Sequence, residues 1–340
     1  MNTLHTDVAI IGAGPIGLEL AVALKKKGID YAHFDAKQIG YTISWFPPQT
    51  RFFSSNERIA IAGVPLQTPD QGKATRETYL AYLRSIVQQF DLKIHTYHPL
   101  TGIERLNGEF ILSFRDGVVR CRCRRLVLCT GGTDRPRKLG IPGEDLPHVH
   151  SYLRDPHDYF ATRLLIVGGK NSAVESALRC YQAGAKIAVS YRKAQFDPRS
   201  IKYWLLPEIN GLLHEGKIAG HFETTPIRIT PTHVTLRKGD SIVEVPADFV
   251  LMQIGFEQNT TLFKLAGIEL SGDCQAPVFD PATMETDVPG LYVAGTAVGG
   301  TQDKYRVFIE NCHVHVARIV SALLGTAPPP TPKPLELPES

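Results

Sequence analysis

The chain has 340 residues, 43% hydrophobic and 21% charged, which is room for two domains that each bury a core. A net charge of +3, with no basic stripe carrying interleaved aromatics, argues against a nucleic-acid partner. No run of about 18 apolar residues exists to span a membrane, no signal-type segment precedes a first core strand that starts by Asp7, and the six cysteines show no disulfide framework, so a cytoplasmic location is expected.

In chain order, the apolar residues 8–11 (VAII) read as a strand. They lead into Gly12-Ala13-Gly14-Pro15-Ile16-Gly17, which opens a helical pattern. A second strand, residues 29–35, ends on Asp35. The densest basic stretch, Arg120-Cys121-Arg122-Cys123-Arg124-Arg125, alternates as a strand whose cations face solvent or phosphate. Residues 126–129 form the next strand, followed by the turn Thr130-Gly131-Gly132. A further strand at 164–167 runs into Gly168-Gly169-Lys170-Asn171-Ser172-Ala173, then a helix, then a strand at 186–191. The pattern returns through residues 288–296, with Gly295 and Thr296 after the last strand, to a helix expected over about 306–324. This predicts an α/β protein of two Rossmann-like, three-layer domains, the second inserted in the first. Residues 1–135 and 257–326 form the first domain, residues 136–256 the second, and residues 327–340, rich in proline, a disordered tail.

The two glycine loops are related by a fixed offset of 156 residues: Gly12 maps to Gly168, Gly17 to Ala173, Glu19 to Glu175 and Gly28 to Gly184. That period is too long for a solenoid and fits a duplicated nucleotide domain, in which small residues let the backbone approach a pyrophosphate at a helix N-terminus. Asp35 lies 18 residues beyond Gly17, where an acid accepts hydrogen bonds from an unphosphorylated ribose, as in FAD or NAD. The same count from Ala173 reaches Tyr191, followed by Arg192 and Lys193. Cations in place of the acid suit a ribose 2′-phosphate, so the second site reads as NADP(H); two ordinary surface cations are the plainer alternative. Lys170 occupies a slot where glycine usually allows close pyrophosphate approach.

The ordered set of first loop, Cys129-Thr130-Gly131-Gly132, second loop and Pro289-Gly290-Leu291-Tyr292-Val293-Ala294-Gly295 resembles the two-dinucleotide-binding flavoproteins of the thioredoxin-reductase-like group. Within that group the chain is most similar to the bacillithiol-disulfide reductases, through Gln49-Thr50-Arg51-Phe52-Phe53-Ser54-Ser55, the second loop, Ser200-Ile201-Lys202-Tyr203-Trp204-Leu205-Leu206-Pro207 and Phe308-Ile309-Glu310-Asn311. The resemblance implies FAD in the first domain, NADPH in the second, a homo-oligomer, and electron transfer through the flavin to a small disulfide. Together with the loop and strand readings, the candidate cofactor contacts are Gly12, Gly14, Pro15, Ile16, Gly17, Asp35, Thr130, Gly131, Gly168, Lys170, Asn171, Ser172, Ala173, Arg192, Lys193 and Gly295. The thioredoxin reductases carry a C-x-x-C pair before the second loop; this chain has residues 148–153 (HVHSYL) there. The bacillithiol-type relatives carry a cysteine in the first glycine loop, where this chain has Ile16. By the resemblance, the N-terminus of the last helix points at the flavin. Cys312, expected two turns into that helix with His315 on the same face, is the candidate redox thiol, a structural buried cysteine being the alternative.

Lesser candidates are Ser54 and Ser55 as hydroxyls at the flavin edge or as turn caps, and Trp45 and Phe46 as stacking or simply packing rings. Thr296 offers a hydroxyl where related proteins place a ribityl-binding acid. No metal site is expected, because Cys121, Cys123, His148 and His150 lack a second ligand pair. The sequence leaves the electron acceptor open between a small disulfide and another acceptor. Two alternatives also stand: a flavin monooxygenase, suggested faintly by His150-Ser151, and an electron-transfer or redox-sensing flavoprotein that does not use NADPH.

Overall fold

The first strand, β1 (Asn2–Ile11), buries Val8, Ala9 and Ile10 completely. It is followed by α1 (Pro15–Lys26) and β2 (Tyr31–Phe34). Pro15 sits at the first helical position, where its fixed φ suits the turn, and Lys25 and Lys26 sit in the last turn, where cations complement the helix dipole. One face of α1 buries Ile16, Leu18, Leu20, Ala21, Val22 and Leu24; each fully buried leucine is worth ~1.5–3 kcal/mol. β2 lies parallel to β1, with Val8 opposite Tyr31 and Ile11 opposite Phe34. There follow α2 (Arg76–Gln89), capped by Thr75 Oγ1 accepting the Thr78 N–H at 3.2 Å, and β3 (Ile94–His95), β4 (Leu100–Leu106), β5 (Glu109–Phe114) and β6 (Val119–Leu128). The sheet order is β3-β2-β1-β6-β5-β4, parallel from β3 to β6 and antiparallel beyond. The alternation expected at 120–125 is present. Cys121 and Cys123 are fully buried, and two of the cations find carboxylates: Arg122 pairs with Glu109, and Arg124 lies 3.6 Å from Asp7.

This computed structural model describes residues 2–115, 119–302 and 306–330. It separates into two units. The first takes the chain up to Trp45, Gln49–Arg135 and the chain from Phe256 onward; the second takes Pro136–Gly255 with Phe46–Pro48.

The second unit contains β7 (Val149–His150), β8 (Arg163–Val167), α3 (Asn171–Gln182), β9 (Lys186–Tyr191), α4 (Leu206–His214) and β10 (Ala219–Phe222). The meander β11 (Thr225–Ile229), β12 (His233–Lys238) and β13 (Ser241–Pro246) comes next, then β14 (Phe249–Met252). A five-stranded parallel sheet has the order β10-β9-β8-β14-β7. One core packs Leu164, Ile166, Val174, Ala177, Leu178, Ile187 and Val189 between this sheet and its helices. A second core packs Leu165, Val167, Val250 and Met252 with Val234, Leu236 and Val245 of the meander. The order reverses between β9-β8 and β14, which is where open α/β sheets bind ligands at their carboxyl ends.

On its return the chain adds β15 (Leu291–Val293), parallel to the carboxyl half of β6, and α5 (His313–Leu324), which packs on α1. The expected helix over 306–324 is corrected at its start. A short 3-10 turn, Ile309–Asn311, precedes α5, because side chains compete there for the backbone. The Phe308 N–H donates to Asn311 Oδ1 at 2.9 Å, and Gln302 Oε1 accepts the N–H groups of Arg306 and Val307. α5 ends at Gly325 in the left-handed conformation. Of the tail expected to be disordered, residues 327–330 form no regular element, and residues 331–340 lie outside the described residues. No helix among the described residues is long and apolar enough to cross a membrane.

Candidate functional site

The first glycine loop is shaped by contacts that only glycine permits. Gly12 has φ 109°, and a Cβ there would stand 2.3 Å from the carbonyl oxygen of Cys129; a Cβ on Gly17 would stand 1.9 Å from the Gly12 oxygen. Gly14 differs. It caps α1 in an extended conformation, and a Cβ built on it meets no protein atom within 4 Å. Its missing side chain therefore leaves open space at the helix N-terminus, which fits the approach of a pyrophosphate. Asp35 ends β2 beside this opening. Its Oδ2 accepts the Ala13 N–H at 2.6 Å and its Oδ1 the Lys37 N–H at 2.7 Å. Burial pushes this carboxyl upward from its usual pKa despite the two donors. One acid thus fixes the loop and retains acceptor capacity for a ribose hydroxyl. Ile16, in the position of the relatives' cysteine, is buried, and a Cβ on Gly295 would stand 3.4 Å from its Cβ.

The loops after β6 and β15 converge beside it. The Gly132 N–H donates to Thr296 Oγ1 at 3.0 Å, and Gly131 takes φ 80°. Thr296 is thus held to Gly132 through one lone pair of its oxygen and keeps its hydroxyl proton and a second lone pair for a ligand. The Gly295 N–H donates to Nδ1 of the buried His315 at 3.2 Å. Ser54, a candidate for the flavin edge or for a turn cap, donates from Oγ to Glu310 Oε1 at 2.8 Å. Ser55 caps the short helix Asn56–Ile59 without a side-chain bond, and Trp45 packs edge-on against Tyr41 at 5.3 Å.

The position expected for Cys312 is corrected, and its surroundings differ from those of an activated thiol. Cys312 is the N-cap residue of α5, not a residue two turns inside it, and it is fully buried. Burial, with Glu310 adding to it, pushes the thiol up rather than down. His315, three residues on, has its pKa lowered to about 4 by burial and by Arg318, so it is neutral at pH 7 and supplies no positive charge to the thiol. Cys129, behind the first loop, is likewise pushed up to about 12 by burial.

The second loop repeats the first in detail. Gly168 has φ 144°, and a Cβ there would stand 2.4 Å from the carbonyl oxygen of Gln253, which follows β14 as Cys129 follows β6. The matching backbone bonds, Cys129 N–H to Ile11 O and Gln253 N–H to Val167 O, are both 2.7 Å. Gly169 lies against the Tyr191 ring, 2.4 Å from a built Cβ. Lys170 caps α3 as Gly14 caps α1. Its backbone is extended and its side chain exposed, so the lysine is sterically accommodated. Asn171 Oδ1 accepts the Lys202 N–H at 2.6 Å, Ser172 is exposed and Ala173 is buried under the loop. Arg192 and Lys193 extend exposed from the end of β9. His148 and His150 are engaged elsewhere: His148 Nε2 donates to Thr230 O at 3.1 Å, and His150 Nδ1 lies 2.9 Å from the Tyr159 hydroxyl. His150 is buried there, and its ring also packs against Phe249 at 5.7 Å.

Several site residues escaped the sequence. His33, fully buried on β2, donates from Nε2 to Gly12 O at 2.9 Å, and burial lowers its pKa to about 4, so a neutral imidazole braces the loop. Gln258 donates from Nε2 to Gly131 O at 3.2 Å and to Ala297 O at 2.7 Å, joining the two converging turns. Glu19 and Glu175, equivalent in the duplication, each clamp a later segment. Glu19 Oε2 lies 2.7 Å from His313 Nδ1, and Glu175 Oε2 lies 2.8 Å from Lys202 Nζ. The 156-residue offset was the one sequence signal that pointed at these glutamates.

Comparison with known proteins places the chain. The family described as pyridine nucleotide-disulphide oxidoreductase matches residues 9–295. The chain is 32% identical over 323 residues to the bacilliredoxin reductase Bdr of Bacillus subtilis, covering 94% of this chain and 98% of that protein. It superposes on the bacillithiol disulfide reductase Bdr (YpdA) of Staphylococcus aureus with TM-score 0.89 and 31% identity, covering 95% of this chain and 99% of the other. A ferredoxin–NADP reductase of Ignicoccus hospitalis is 25% identical over 296 residues, covering 85% of this chain and 89% of that protein. The expected resemblance and the two-Rossmann α/β class both hold. The chain belongs to the pyridine nucleotide-disulphide oxidoreductase family and is an FAD-dependent oxidoreductase of the thioredoxin-reductase-like fold.

Proposed function

We propose that FAD lies on the Gly12–Gly17 loop, that NADPH lies on the Gly168–Ala173 loop, and that electrons leave through the flavin to the disulfide of a low-molecular-weight thiol. The net reaction is NADPH + H⁺ + RSSR → NADP⁺ + 2 RSH. The observation that carries this reading is the duplicated cradle. Both loops have the same left-handed glycine, the same carbonyl behind it and the same extended cap, but one ends on Asp35 and the other on Arg192-Lys193. An acid suits an unphosphorylated ribose and the cations suit a 2′-phosphate. A bound flavin supplies the redox chemistry; the chain supplies orientation and charge. Asp35 accepts from the ribose while it fixes Ala13. The N-terminus of α5 favours negative charge, and His313 at its first helical position faces the Glu19 carboxylate through Nδ1 and the Arg58 carbonyl through Nε2.

The disulfide acceptor is supported by the Staphylococcus relative, a bacillithiol disulfide reductase by name. With Ile16 in the first loop and Cys129 and Cys312 held as buried thiols, the acceptor meets the flavin directly rather than through a protein thiol. A ferredoxin acceptor is the second reading, favoured by the Ignicoccus relative and by that same lack of an activated thiol. Anaerobic mixing with NADPH tests the donor side, and flavin that stays oxidised refutes it. Steady-state NADPH consumption with small disulfides, ferredoxin and oxygen then separates the acceptors; the expected outcome is turnover with a disulfide.

A further inference from the structure

Beside the second glycine loop stands an aromatic step that nothing above uses. Tyr203 is 72% exposed and Trp204 37% exposed, and their rings meet edge to face at 4.9 Å with an interplanar angle of 90°. Large exposed rings are held in place here rather than left loose. On the amino side, the Lys202 N–H donates to Asn171 Oδ1 at 2.6 Å, and Asn171 is the first residue of α3, directly after the loop. The Lys202 ammonium, itself nearly buried, pairs with Glu175 Oε2 at 2.8 Å on the same helix and lies 5.8 Å from the Trp204 ring. On the carboxyl side, Leu205 and Leu206 pack into the core, and α4 begins at Leu206. The step is therefore fixed to the phosphate end of α3 by a buried ion pair, a backbone hydrogen bond and two leucines.

We infer that Tyr203 and Trp204 form the stacking wall for the adenine ring of the pyridine nucleotide. This rests on the NADPH reading of the second loop and deepens it. The segment that begins with Arg192 and Lys193, the candidate 2′-phosphate cations, ends at these two rings, and it is tied at Lys202 to the residue that opens the pyrophosphate helix. A planar group lying between a pyrophosphate and a ribose 2′-phosphate is on the adenosine half of the molecule. Aromatic faces bind such bases through stacking worth ~1–3 kcal/mol per base. Glu175 acts at one remove, as a positioning residue: it holds Lys202 and with it the angle of the step.

The chain has two tryptophans, so a Trp45→Phe variant leaves Trp204 as the sole indole reporter. Intrinsic fluorescence of this FAD-loaded variant is titrated with NADP⁺, with 2′,5′-ADP and with nicotinamide mononucleotide. Binding is measured in parallel by calorimetry. The expected result is saturable quenching by NADP⁺ and by 2′,5′-ADP, with none by the mononucleotide. Trp204→Leu, at unchanged flavin content, weakens 2′,5′-ADP binding about tenfold. Heat of binding for 2′,5′-ADP without any change in Trp204 emission overturns the wall and leaves the NADPH site standing. Quenching by the mononucleotide alone assigns the step to the nicotinamide half and also overturns it. No binding of NADP⁺ by either method overturns both the wall and the donor assignment.

Discussion

Gly14→Ala separates what the fold needs from what the cofactor needs. Gly14 sits at φ −76°, ψ −177°, a conformation open to any residue, and the added methyl meets no protein atom within 4 Å. The backbone of the apoprotein should therefore tolerate it, with a stability change within about 0.5 kcal/mol. Lys170, in the equivalent cap position of α3, shows that a side chain can stand there. A pyrophosphate drawn against the α1 N-terminus would instead have to make room for the methyl. Crowding of that kind costs about 1–3 kcal/mol, or roughly fivefold to a hundredfold in FAD affinity. The assay pairs thermal unfolding of flavin-stripped protein with FAD titration by flavin fluorescence. Gly12→Ala is the contrast: at φ 109° and 2.3 Å from the Cys129 oxygen, its methyl cannot be placed without moving backbone, so folding itself should fail. The reasoning is refuted if Gly14→Ala binds FAD as tightly as the parent, or if it destabilises the apoprotein as Gly12→Ala does.

Four further outcomes are expected. Burial pulls the His313 pKa down, but the Glu19 carboxylate and the Arg58 carbonyl outweigh it, so the net shift is upward. The bridge is then fully present below the unfolded value of about 6.5 and fades as pH rises through the folded value. His313→Gln should therefore cost about 2 kcal/mol near pH 6 and progressively less in alkaline buffer, and a thermal-melt difference that grows with pH would contradict this. Alkylation of the native protein, read by mass spectrometry, should modify Cys274, the one partly exposed cysteine, before any of the five buried ones, and Cys312→Ala should keep NADPH turnover within about twofold. Arg192→Ala combined with Lys193→Ala should cut the preference for NADPH over NADH by at least roughly a hundredfold, seen in KM, because each lost phosphate contact is worth about 1.5 kcal/mol or more.

The features legible in the sequence were those whose demands are local. A glycine loop announces itself because the left-handed φ at Gly12 and Gly168 and the close packing at Gly17 admit no other residue at those places. Asp35 and the Arg192-Lys193 pair follow by counting, since strand lengths in a β-α-β unit vary little. What stayed hidden was set by partners far along the chain or by burial. Ser54 donates its hydrogen bond to Glu310, 256 residues away, a partner that no local pattern marks. His33 read as one more strand residue, and nothing nearby in sequence marked it as the brace of the Gly12 carbonyl. The start of α5 was misplaced because Gln302 and Asn311 take backbone groups that a helix beginning at Arg306 would need.

The duplication reaches further than the glycines. Glu19 and Glu175 stand at the same step of their helices, and each receives a cationic side chain from a later segment, His313 in one unit and Lys202 in the other. The two partners differ in chemistry, and the difference has consequences. Lys202 anchors the helix of the second loop through its Nζ, 2.8 Å from Glu175 Oε2. Histidine titrates near neutrality, so the equivalent anchor of the first loop, at the N-terminus of α5, carries charge conditionally. His313 cannot be replaced by a neutral acceptor without loss, because both of its ring nitrogens face acceptors: a carboxylate oxygen at 2.7 Å and a carbonyl oxygen at 2.8 Å. Only the doubly protonated ring satisfies both. The first loop thus keeps a titratable positive charge beside it, in a unit where Cys312 and Cys129 are held protonated and His315 is held neutral. Of these four groups, His313 is the one whose protonation can change near neutrality, which makes it the group to follow when activity is measured against pH.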